Sequence, residues 1–121
     1  MLAQNEAAGL DSEKLEALYR QLGDSSAEDV VCRAMEELAL RLSQVERYFR
    51  ANEIDEMRKG ARSIAAIAEQ IGMAALSRVA QQLHQCASTN DTVAQAAVLA
   101  RLIRVGERSL MEIWELQDLS I

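Results

Sequence analysis

One histidine (His84), two cysteines (Cys32 and Cys86) and a run of three cations (Arg58, Lys59 and Arg62) have the most chemical scope in this sequence. Zinc needs several His or Cys ligands that converge, and three such residues scattered along the chain do not supply them. A di-iron helical site needs Glu-x-x-His on two helices, whereas the residue three before His84 is Gln81. Neither cysteine has a histidine nearby in sequence, and Cys32 follows Val30 and Val31 in an apolar pattern, so buried or half-buried free thiols are expected rather than nucleophiles. There is no Gly-rich phosphate loop and no Ser-His-Asp order. The expectation is therefore no metal and no cofactor. Arg58, Lys59 and Arg62 are spaced to share one helix face.

The elements that must position these residues are read from periodicity. Residues 1–10 are small and polar and are expected to be a disordered lead-in, with a single domain over 11–121. Leu15, Leu18, Tyr19 and Leu22 recur at helical spacing between a cap at Asp11 or Ser12 and a stop at Gly23. Ser25 and Glu28 have the form of a capping box. The long helix that follows would bury Val31, Met35, Leu38, Leu42, Val45 and Phe49. Asn52 is the expected cap of a third long segment that buries Ile54, Met57, Ala61, Ile64, Ala68 and Ile71 and stops at Gly72. Gly60, which costs about 1 kcal/mol within a helix, suggests close approach of another backbone. The next helix, 74–87, turns Leu76, Val79, Ala80 and Leu83 inward, and the polar break 88–91 supplies the last cap. The final helix carries Val93, Ala96, Ala97, Ala100, Ile103, Leu110 and Trp114 as its expected buried line, with Trp114 read as core or end cap.

Composition agrees with this pattern. The 121 residues are 50% apolar and 26% charged, with no proline and only one Phe, one Trp and two Tyr. Such a chain is all-α and long enough for one compact domain. Four long helices with short links predict an antiparallel up-down four-helix bundle with a short extra N-terminal helix. Cys32 and Cys86 would then lie at opposite ends, about 15–20 Å apart along the axis, too far for a disulfide. A net charge of −6 argues against nucleic acid and anionic lipid as partners. No run approaches the roughly 18 apolar residues of a membrane span, and residues 1–10 lack the features of a signal peptide, so a cytoplasmic protein is expected.

The stretch from Ala61 to Met73 resembles the signature of the histidine-containing phosphotransfer (HPt) family, Ala-His-x-Leu-Lys-Gly-x-Ala-x-x-Leu-Gly. Ala61, Ile64, Ala68, Ile71 and Gly72 fit at the family spacing, and the resemblance extends over residues 13–117. Three positions depart from it. Arg62 stands at the phosphoacceptor histidine, Ala65 at the lysine and Ala66 at the glycine. A guanidinium has no nucleophilic lone pair, so Arg62 cannot accept a phosphoryl group. What the resemblance implies is then a phosphorelay module without the usual chemistry. It would dock a response-regulator receiver domain, or a histidine kinase, through Arg62, Arg58, Lys59, Ser63, Ala65 and Ala66. A cationic patch complements the receiver's aspartate-lined pocket.

His84 is the alternative phosphoacceptor. It lies 12 residues after Gly72 and Arg62 lies 10 before, so a hairpin would set the two at nearly the same height. The competing assignment is a boundary histidine whose ring covers apolar surface. A structural bundle unrelated to phosphorelays, dimeric in one form, is the remaining class. The oligomeric state is open at this point, with a monomer slightly favoured.

Overall fold

The computed structural model describes residues 9–119; expectations for residues 1–8 and 120–121 fall outside them. Among the described residues there are five helices and no strand: α1 (Ser12–Leu22), α2 (Asp24–Arg50), α3 (Ile54–Gln70), α4 (Ala74–Cys86) and α5 (Thr92–Leu119). None is long and apolar enough to cross a membrane. α3 packs on α2 and on α4, α5 packs on α4 and on α2, and α1 packs on α2.

Helix ends show how local chemistry sets these limits. Asp11 caps α1 by accepting from the Lys14 N–H, and Gly23 closes it at a φ of 81° with its N–H bonded to the Tyr19 carbonyl. Gly72, at a φ of 77°, ends α3. Its N–H reaches the Glu69 carbonyl while Met73 N–H reaches the Ala68 carbonyl at 2.9 Å, the paired bonds of a Schellman turn. The expected capping box at Ser25 does not form. α2 begins at Asp24, straight after Gly23, so Ser25 is already inside the helix, and no side chain caps its start. Asn52 does not cap α3 either; Glu53 precedes the helix, and Asn52 takes a φ of 58° in the turn, a conformation its short polar side chain tolerates.

The apolar lines of α2, α3 and α4 face the core as their spacing predicts. Leu38, Leu42 and Val45 meet Met57, Ala61, Ile64 and Ala68, with Leu76, Val79, Ala80 and Leu83 completing the cluster. The glycine in α3 is occupied differently from expectation: a Cβ on Gly60 would stand 2.6 Å from Val45 Cγ1, so a side chain and not a backbone fills that space. The packed chain also reaches further toward the N-terminus than expected, since residues 9 and 10 belong to it. Leu10 is 5% exposed, Asp11 N–H donates to the Gly72 carbonyl at 2.6 Å, and Ala75 N–H donates to the Gly9 carbonyl at 3.1 Å. Residues 9–11 thus clamp the α3–α4 turn.

The final helix turns a different face inward. Gln95, Leu99, Leu102, Gly106, Ser109 and Ile113 are buried, whereas Val93, Ala96, Ala97, Ala100 and Trp114 are exposed and Ile103 and Leu110 half-buried. Three of the buried positions are polar or glycine, which hid the seam from a reading of apolar spacing. Each has a packing reason: a Cβ at Gly106 would meet Leu42 Cδ1 at 2.6 Å, Ser109 is small, and Gln95 Nε2 donates to the carbonyls of Thr89 and Cys86. Both cysteines are free. Cys86 is half-buried, but Cys32 is exposed, not buried, and its thiol donates to Gln117 Oε1 at 3.8 Å.

Candidate functional site

α3 presents an outward stripe of Asp55, Lys59, Arg62, Ala66 and Glu69, residues three or four apart. Arg62 lies at its centre, exposed, and has no ion-pair partner among the described residues. The flanking cations are partly neutralised by acids one turn earlier: Arg58 Nε is 3.7 Å from Asp55 Oδ1, and Lys59 Nζ is 3.6 Å from Glu56 Oε1. Glu69 is drawn across to Lys14 Nζ at 2.8 Å. Such exposed pairs contribute little to stability, on the order of 0–1 kcal/mol. The surface is therefore a single unpaired guanidinium framed by ion pairs, less basic than the cation count suggested.

The other expected contact residues divide. Ala66 is exposed one turn from Arg62, and Ser63 is half-buried. Ala65 is 7% exposed, and its carbonyl accepts the Ser77 hydroxyl of α4 at 3.1 Å. It belongs to the α3–α4 contact, so it is withdrawn from the exposed surface. Close approach of α4 covers it. Ser77 itself was missed by the sequence reading. A serine among apolar residues of α4 carries no signal that its hydroxyl will bridge to a neighbouring helix.

His84 is half-buried, and its Nδ1 lies 3.2 Å from the Arg58 carbonyl oxygen. A carbonyl only accepts, so in this bond Nδ1 carries the proton and the neutral ring keeps its lone pair on Nε2. The height differs from the expectation: His84 is level with Arg58, one helical turn from Arg62. It remains next to the site, but not beside the vacated phosphoacceptor position. No group of three or more His, Cys, Asp or Glu residues among the described residues could hold a metal ion.

No family model, curated protein or solved structure matches the chain.

Proposed function

We propose that this chain is an HPt-like phosphorelay module without the usual phosphoacceptor, a non-catalytic cytoplasmic protein that binds a response-regulator receiver domain through α3. The observation that carries the reading is Arg62, exposed and without an ion-pair partner among the described residues, at the centre of the helix whose sequence resembles the family signature. Arg58, Lys59, Ser63 and Ala66 would frame the contact. The same reading takes the helices as an antiparallel up-down bundle. Its support is that residues 65 and 58 of α3 meet residues 77 and 84 of α4, while residues 32 and 42 of α2 meet residues 117 and 106 of α5. In both pairs one chain number rises as the other falls.

Docking would set the fixed positive charge of Arg62 against the carboxylates of a receiver's pocket, where it can pair but cannot take up phosphate. The module would sequester or scaffold its partner. A histidine kinase is the second candidate partner. The test is calorimetric titration of purified receiver domains with wild-type protein and Arg62→Glu. Wild-type binding that weakens by about 1–3 kcal/mol in the variant is expected. Equal binding by both proteins, or none by either, overturns the reading.

An active phosphotransfer protein is the second reading, favoured by the Nε2 lone pair that the His84–Arg58 hydrogen bond leaves on the ring. Incubation with a phosphorylated receiver separates the two. Acid-labile phosphate on wild type that is lost in His84→Gln would establish transfer, and an unlabelled chain would leave binding alone.

A further inference from the structure

We propose that α5 is the interface of a two-fold homodimer, pairing antiparallel with α5 of a second copy of this chain. This inference stands independently of the receiver-docking reading. α5 carries two apolar seams. One packs on α2 and α4, and the other has no partner among the described residues: Val93 is 79% exposed, Met111 63% and Trp114 64%. Val93, Ala100, Glu107 and Trp114 recur every seven residues, with Ala96, Ala97 and Met111 between them, the spacing of a helix–helix seam. From Val93 to Trp114 the stripe runs about 32 Å.

The occupant is read from how size and charge are distributed along that stripe. Its first half is small (Ala96, Ala97 and Ala100) and its second half is large (Met111 and Trp114). Reversing a copy about the point between Ile103 and Arg104 sets Val93 against Trp114, Ala96 against Met111 and Ala100 against Glu107. Large side chains then meet small ones along the whole seam, as close packing requires. Charge follows the same symmetry. Arg101, Arg104 and Glu107 are exposed and have no ion-pair partner among the described residues. In the reversed pair, Glu107 of one copy faces the turn that bears Arg101 and Arg104 of the other. A parallel pair would instead stack Trp114 on Trp114, alanine on alanine and Glu107 on Glu107, leaving a gap at one end and like charges in the middle. Arg62 lies on α3 and is left outside this contact, so such a dimer would carry two copies of that surface.

Analytical ultracentrifugation of the full chain from about 1 to 200 μM tests the association across the micromolar range of dissociation constants. A reversible dimer is expected. Trp114→Glu and Met111→Glu should each weaken it by at least tenfold, with unchanged helical circular dichroism and, at concentrations where every protein is monomeric, unchanged melting, because in the single chain both side chains are exposed. Orientation is tested by oxidative crosslinking in a Cys32→Ser, Cys86→Ser background. Arg104→Cys at the two-fold should link to itself, Ala97→Cys alone should not, and Ala96→Cys combined with Met111→Cys should. A monomer throughout the concentration range overturns the proposal, as does a dimer that Trp114→Glu leaves intact or one in which Ala97→Cys links to itself.

Discussion

Arg62 and His84 differ in how far the surrounding chain constrains them. Arg62 projects from a helix face with no ion-pair partner among the described residues, so its charge is available but its geometry is loose. His84 is held by the Arg58 carbonyl, which fixes the ring's tautomer. Neither arrangement resembles the nucleophile–base pairing of a catalytic site. Among the described residues one titrating group is clearly perturbed, and it lies on α5 rather than on α3 or α4. Burial pushes the Glu112 carboxyl above its ordinary value of 4.5, Arg108 opposes this, and Glu115 adds to it. Its Oε2 is buried with no hydrogen-bond partner. The folded chain therefore holds this proton more tightly than the unfolded chain. Folding is most favoured by Glu112 below pH 4.5 and loses that contribution as pH rises through the raised value. Glu112→Gln should accordingly be more stable than wild type in urea denaturation at about pH 7, with the difference vanishing at about pH 4.

Helix starts separate residues that look alike in sequence. Asp91 accepts from the Ala94 N–H at 2.9 Å and opens α5 as the polar break predicted, whereas Ser25 has capping-box spacing but lies within α2. Asp91→Ala should cost about 0.5–2 kcal/mol and Ser25→Ala less than about 0.5 kcal/mol, both read from chemical denaturation midpoints. The difference arises at Gly23, whose φ of 81° and ψ of 161° turn the chain so sharply that α2 can begin one residue later. Apolar periodicity found the inner faces of α2, α3 and α4, where one stripe is plainly richer than the other. On α5 two stripes compete, and periodicity chose the one with more alanine and tryptophan. Packing chose the other because Gly106 admits Leu42 and Gln95 can satisfy the carbonyls of Thr89 and Cys86.

The chain as a whole is closed by a contact between distant parts. Residues 9–11 lie on the α3–α4 turn through two backbone hydrogen bonds, and Leu10 enters the common core. Gly72 makes this possible, since a Cβ there would stand 2.7 Å from the Asp11 carbonyl oxygen. Leu10→Ala should destabilise the protein by about 2–4 kcal/mol in thermal or urea unfolding, a core-sized effect from a residue whose neighbours in sequence are small and polar. Nothing in that segment's composition announces it. One leucine after a glycine gains its burial from a partner some sixty residues away.

Helical class, the number of helices, the stops at Gly23 and Gly72, and the resemblance of the Ala61–Gly72 stretch were all determined by the sequence itself. These depend on periodicity, capping chemistry and backbone freedom, which act over a few residues. The inner face of α5, the exposure of Trp114 and Cys32, the withdrawal of Ala65 into the α3–α4 contact and the clamp by Leu10 were decided only by tertiary structure. Each depends on which surfaces meet, and a small or polar residue is buried when a neighbour fits over it or bonds to it. That information resides in pairs of residues far apart in the chain, where local spacing has no reach.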